Sequence, residues 1–167
     1  MAAIRDALSQ VPSKPGFVIA AVVVLGLGGW YLNSTWTQCS ALKASRLQLR
    51  AAIEAAGAGG MVDLTTALPG AWDEVRIVEG HRLNQGEQPL ECPFGWDISR
   101  AERAGLIAAG DYTLIGLFSG GRFQRYVEWR RDWARFAGDV KNLPATAARF
   151  TVARSGGDAY VLTPAAQ

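Results

Sequence analysis

Acid–base chemistry in this chain would have to be built round His81, its single histidine. An imidazole titrates near neutrality and works as a base when a neighbouring carboxylate orients it. Glu79 and Asp73 stand close by in sequence, and Glu128 is the further carboxylate that a membrane-tethered enzyme would recruit. No pattern fixes a serine or cysteine nucleophile near His81, so a surface histidine is the expected reading. Asp73 and Glu74, which follow Trp72, are expected to open a strand or cap a turn, since two carboxylates share proton chemistry only where a fold brings them together. No catalytic residue is assigned.

Two cysteines and one histidine are too few for a four-ligand zinc site, and no metal or other cofactor is expected. Cys39 and Cys92 are candidates for one disulfide if the compartment is oxidising. Such a bridge would close a loop of about fifty residues and contribute ~3 to 4 kcal/mol in the chain-entropy account. Two free thiols are the alternative. The Ser-Gly-Gly triplets near residues 119 and 156 lead into no helix and lack a P-loop lysine, so they read as hairpin turns.

Phosphate binding has one further candidate, GRFQRYVEWRRDWARF at residues 121–136, where five arginines alternate with aromatic residues. Glu128 and Asp132 interrupt the positive field, and beyond residue 32 the chain carries 15 basic against 14 acidic residues. Nucleic-acid binding needs an excess of positive potential and rings left open for stacking, so it is not the favoured partner. The expected reading is a strand with a salt-bridged outer face, leaving Arg125, Arg130, Arg131, Trp133 and Arg135 as a candidate interaction surface. A cytoplasm-facing module that binds lipid or nucleic acid through these arginines is the alternative.

The elements that must position these groups begin with GFVIAAVVVLGLGGWYL, residues 16–32, inside an uncharged stretch between Lys14 and Lys43. Its length is at the lower edge of the roughly 20 apolar residues that span a bilayer. Trp30, Tyr31 and Trp36 suit the headgroup level, so residues 16–36 are expected to form a transmembrane anchor, with a cleaved signal or a buried helix as alternatives. Residues 1–15 are an N-terminal tail. Lys43, Arg46 and Arg50 after the run, against Arg5 and Lys14 before it, lean towards a cytoplasmic C-terminal side. A short tail and one early apolar run favour export instead, and an extracytoplasmic domain is expected.

Residues 37–60 read as a helical stalk and glycine-rich linker, with Leu42, Leu49, Ile53 and Ala56 apolar and Lys43, Arg46, Arg50 and Glu54 between them. Residues 61–167 form the domain. Val75 and Ile77 mark a first strand, and residues 84–96 are irregular. Asp97 or Ser99 caps a short helix closed by Gly110, Glu102 completing a capping box with Ser99, and Ala101, Ala104, Leu106 and Ile107 lie on its buried side. YTLIGLFSGGRFQRYVEW reads as a glycine-turned hairpin, and ARFTVAR with AYVLTP as a second. The fold class is α+β: a transmembrane helix, then an antiparallel sheet of about four or five strands covered by one or two helices.

Trp72, Asp73, Val75, Gly121, Arg122, Val127, Glu128, Phe136, Arg149 and Phe150 occur in a pattern that resembles a group of small uncharacterised proteobacterial exported proteins and lipoproteins. The likeness covers roughly residues 70 to 153 and shares a Trp-Asp-x-Val strand opening and a Gly-Arg turn. This chain lacks the lipobox cysteine and has Arg76 where a cysteine often stands. The resemblance implies an envelope location and no particular chemistry. The expected function is a non-enzymatic, single-pass protein of the bacterial inner membrane with a periplasmic domain. Its partners would be the lipid bilayer and a protein, as accessory subunit of a membrane complex or as an immunity-type protein.

Overall fold

The computed structural model describes residues 15–79, 89–90, 92, 97–137, 140–156 and 159–165, with side chains from Val22 onward apart from residues 25 and 79. The chain divides by its contacts into two units, Met1–Thr37 and Gln38–Gln167. Helix α1, Pro15–Ala56, contributes to both. The expected anchor and stalk helices are therefore one element, because nothing between Trp36 and Ala41 breaks a helix: the residues there lack proline and glycine. Among the described residues no helix is long and apolar enough to cross a membrane.

In the second unit, α1 ends where the Gly57 N–H reaches the Ile53 carbonyl at 3.1 Å. Strand β1 (Met61–Asp63) follows, then the one-turn helix α2 (Leu64–Ala67), capped by the Asp63 carboxylate on the Thr65 N–H. Next come β2 (Glu74–Glu79), α3 (Arg100–Ala108), β3 (Tyr112–Ser119) and β4 (Arg122–Arg130). The chain closes with β5 (Ala134–Phe136), β6 (Asn142–Pro144), a 3-10 turn, β7 (Arg149–Arg154) and β8 (Tyr160–Pro164).

The single expected sheet is two sheets of four strands, in the orders β1-β7-β8-β5 and β4-β3-β2-β6. Among the described residues only β5 and β8 run parallel. Among the described strands β1, β5 and β6 are three residues long, too short to show an alternating pattern. The two predicted hairpins are present, β3 with β4 and β7 with β8. At the first turn Gly120 and Gly121 have φ of 56° and 73°, the paired positive values that a two-residue I′ turn demands and that side chains resist.

One core draws on both sheets and on α1. Val75, Ile77, Ile115, Leu117, Val127 and Trp129 come from the second sheet, and Val62, Phe150, Val152 and Leu162 from the first. Leu49 and Ile53 of α1 complete it, so the helical stalk is a wall of the domain. Strand β3 is buried along nearly its whole length. Its alternate residues Tyr112, Leu114 and Phe118 are buried too but stand outside that core, so the second sheet is covered on both faces. A bulge between Leu117 and Phe118 shifts the register. It turns Phe123 to the Phe118 side, with ring centroids 5.6 Å apart, away from the Val127 and Trp129 face on which parity had put it.

Candidate functional site

Helix α3 begins at the predicted cap: the Ser99 hydroxyl accepts the Glu102 N–H. Its buried side differs from expectation. Ala101 and Ala104 are exposed, Leu106 and Ile107 are half-buried, and the buried residue is Arg103. Arg103 enters the covered face of the second sheet, where register puts Glu128 opposite Leu114. Its Nε donates to Glu128 Oε1 and its Nη2 to Oε2 at 3.1 Å, while Nη2 also reaches the Leu90 carbonyl at 2.9 Å. The Tyr112 hydroxyl donates to Glu128 Oε1 at 2.6 Å. Glu128 was expected on a solvent-facing, salt-bridged side; it is 2% exposed, because Arg103 of α3, itself held by the Leu90 carbonyl, covers that side.

A second ion pair stands beside the first. Arg46 of α1 meets Asp97, and their side chains are 9% and 1% exposed. Arg46 was assigned to the polar face of the stalk, yet it falls seven residues after buried Cys39 and seven before buried Ile53, on the same helical stripe. That spacing was the available signal. Asp97 had no signal beyond its nearness to a helix start.

The electrostatics follow from burial. Loss of water pushes the Asp97 carboxyl above its usual range; Arg46 pulls it back, and the nearby Glu128 charge raises it further. Burial works against the Arg103 charge, but the Glu128 hydrogen bond and charge outweigh it and hold the guanidinium pKa up. Tyr112 is raised by burial and by Glu128, so it stays a donor. Tyr126 is pushed up to about 12, chiefly by burial. The shifts of Arg103, Tyr112 and Tyr126 take those groups further from the neutral-pH titration that acid–base catalysis uses, while that of Asp97 moves its carboxyl towards it.

Cys39 and Cys92, the predicted bridge, are joined and buried. The bridge and the Arg46–Asp97 pair tie α1 to the stretch leading into α3 at two points on one helical face.

Of the residues proposed for an enzyme, Asp73 and Glu128 are not brought together. The Asp73 carboxylate accepts the Gly120 N–H at 2.8 Å, buttressing the hairpin turn, while Glu128 lies opposite Leu114, roughly 15 Å back along the strand at 3.3 Å per residue. His81 lies outside the described residues. Among the described residues no group of three or more His, Cys, Asp or Glu could hold a metal.

The candidate interaction surface divides. Arg130 pairs with Asp132 at 2.7 Å, Arg131 donates to the Gly110 carbonyl at 3.3 Å, and Arg135 is exposed on β5. Trp133 has the Arg50 guanidinium 4.5 Å and the Arg130 guanidinium 5.4 Å from its ring centroid. Arg125 is elsewhere, donating to the Leu68 and Pro69 carbonyls. Sequence reasoning missed Arg50 and Tyr160; with Trp133 they line a hollow of about 170 Å3 floored by Ile53, Trp129 and Ala134. In the first unit Trp30, Tyr31 and Trp36 are each more than half exposed. Comparisons with protein-family models, curated proteins and solved structures find no match to this chain.

Proposed function

We propose that the chain is a single-span protein of the bacterial envelope whose α+β domain lies outside the cytoplasm and binds a protein partner. The Cys39–Cys92 bridge carries the reading. Disulfides persist in oxidising compartments, and Cys39 comes seven residues after the apolar run 16–32. The exposed Val22, Val23, Val24 and Leu27, followed by Trp30 and Tyr31, have the composition of a span with an aromatic end.

The partner is assigned to the surface round Trp133. Tryptophan, tyrosine and arginine dominate binding energetics at protein interfaces; Trp133, Tyr160 and Arg50 line a hollow whose floor is apolar, and the Arg130 guanidinium stands 5.4 Å from the Trp133 ring centroid. Arg131 and Arg135 extend that surface. An accessory subunit or an immunity-type protein would use it in this way, by contact and with no reaction.

Fusions of alkaline phosphatase and of a fluorescent protein to Gln167, read alongside maleimide labelling before and after reduction, test the location. Phosphatase activity without fluorescence, and thiols that label only after reduction, are the expected result. Fluorescence alone with freely labelled thiols overturns it. A photocrosslinking residue at position 133 is expected to capture a discrete product in cells, and one at Lys141 is not.

A further inference from the structure

A cleft of about 310 Å3 lies between α1 and the bulged end of β4. Its apolar lining is Ala41, Leu42, Leu90, Phe123 and Tyr126, and its polar lining includes Gln38, Gln124 and Arg125. Apolar walls with a few convergent polar groups are the composition of small-ligand pockets, and the volume is at the small end of their range.

The charge in this cleft is one-sided. Arg125 is the one charged residue among the described residues that line it. The guanidinium is partly buried, and its Nη2 donates to the Leu68 carbonyl at 3.1 Å and to the Pro69 carbonyl. The fold makes room for it: Gly70 has φ of 148°, and a Cβ there would stand 3.2 Å from Nη2. Both acceptors are neutral, and Arg125 forms no ion pair among the described residues. Burial alone weakens its hold on its proton. A guanidinium withdrawn from water without a counter-charge is costly, and an anion that joined it would relieve that cost.

We propose that this cleft binds a small amphipathic anion, with its apolar chain against Leu42, Leu90 and Phe123 and its carboxylate or phosphate at Arg125. The site goes beyond the protein-binding function above and does not depend on it, since the Trp133 surface shares none of these residues.

Calorimetric titration tests it, with the full chain held in nanodiscs of zwitterionic lipid and empty discs as the blank. The probes are octanoate, hexyl phosphate, octanol and octylammonium. Saturable binding of at least one anion, about ten-fold tighter than octanol, is expected, with no saturable heat from octylammonium. The better of the two anions then distinguishes a fatty-acid-like from a lysophospholipid-like ligand. Arg125→Gln is expected to reduce anion binding to the level of octanol, Arg125→Lys to retain the preference, and Leu42→Trp, which fills the cleft, to remove binding of every probe. Circular dichroism checks that each variant is folded, and the probe series on the unaltered chain decides the matter if Arg125→Gln is not. The proposal is overturned by octanol binding as tightly as the anions, by no saturable heat from any probe, or by undiminished anion binding in folded Arg125→Gln. A Leu-Glu-Leu peptide that binds more tightly than either anion overturns it in favour of a peptide site.

Discussion

Arg103–Glu128 and Arg46–Asp97 are withdrawn from water to similar degrees, at 8% and 2% exposure for the first pair and 8% and 7% for the second. Their surroundings differ. Glu128 accepts from Arg103 through both oxygens and from Tyr112, and Arg103 has the Leu90 carbonyl in addition. Arg46 Nε and Nη1 and both Asp97 oxygens have no hydrogen-bond partner of sound geometry. Burying a charge is costly unless Coulomb attraction and hydrogen bonds together replace water. The first pair meets that condition. The second meets it less fully: burial outweighs the Arg46 charge and the hydrogen bonds from Arg46 and the Ile98 N–H in the shift of Asp97.

The largest expected effect breaks the first pair. Glu128→Ala leaves Arg103 buried without a counter-charge and Tyr112 without an acceptor, and is expected to cost about 3 to 5 kcal/mol, read from the urea midpoint at constant m-value. A smaller effect, of opposite sign, belongs to the second pair. Arg46→Met combined with Asp97→Leu fills similar volume with apolar groups and is expected to be neutral or to stabilise by about 1 to 4 kcal/mol. The matching change in the first pair, Arg103→Met with Glu128→Leu, is expected to destabilise, because the Tyr112 hydroxyl and Leu90 carbonyl lose their partners. Equal responses from the two double variants would erase the distinction between the pairs.

The smallest effect is a pH slope. The Asp97 carboxyl holds its proton more tightly in the folded chain than at its ordinary value of 3.8. Its contribution to stability is therefore fully present below 3.8 and is lost as pH rises through the raised folded value. Asp97→Asn is expected to flatten that part of the stability profile when urea midpoints are followed from acid to neutral pH. Asp63 has the opposite sign: the Thr65 side chain, more than any other group, holds its carboxyl low, so its contribution is lost as pH falls and remains in the Asp97→Asn profile.

What was legible in the sequence was local. The β3–β4 and β7–β8 hairpins are written in alternating runs joined by short turns, and the Ser99 cap is a contact between neighbours. With only two cysteines, the one possible pairing could be named. The second sheet's covered face was not legible, because Glu128 and Arg103 read as polar positions until tertiary contact brings them together across 25 positions. Polar parity on a strand records which residues share a face, and it does not record what lies on top of that face. The split into two sheets was hidden for a related reason, since β1 and β5 owe their existence to pairing with β7 and β8. The hollow at Trp133 draws on α1, β4, β5 and β8, and no window of sequence contains it.

The order of strands in the first sheet has a consequence for synthesis. Met61 pairs with Thr151, and β7 in turn pairs with β8, so one of the earliest strands to leave the ribosome waits for two of the last. Until they arrive, Leu49 and Ile53 of α1 have only part of their packing surface. Non-local closure of this kind slows folding and prolongs the exposure of apolar surface. A chain halted before Arg149 would therefore leave its first strand and its helix unfinished together, and would be a substrate for proteases rather than a smaller version of the domain.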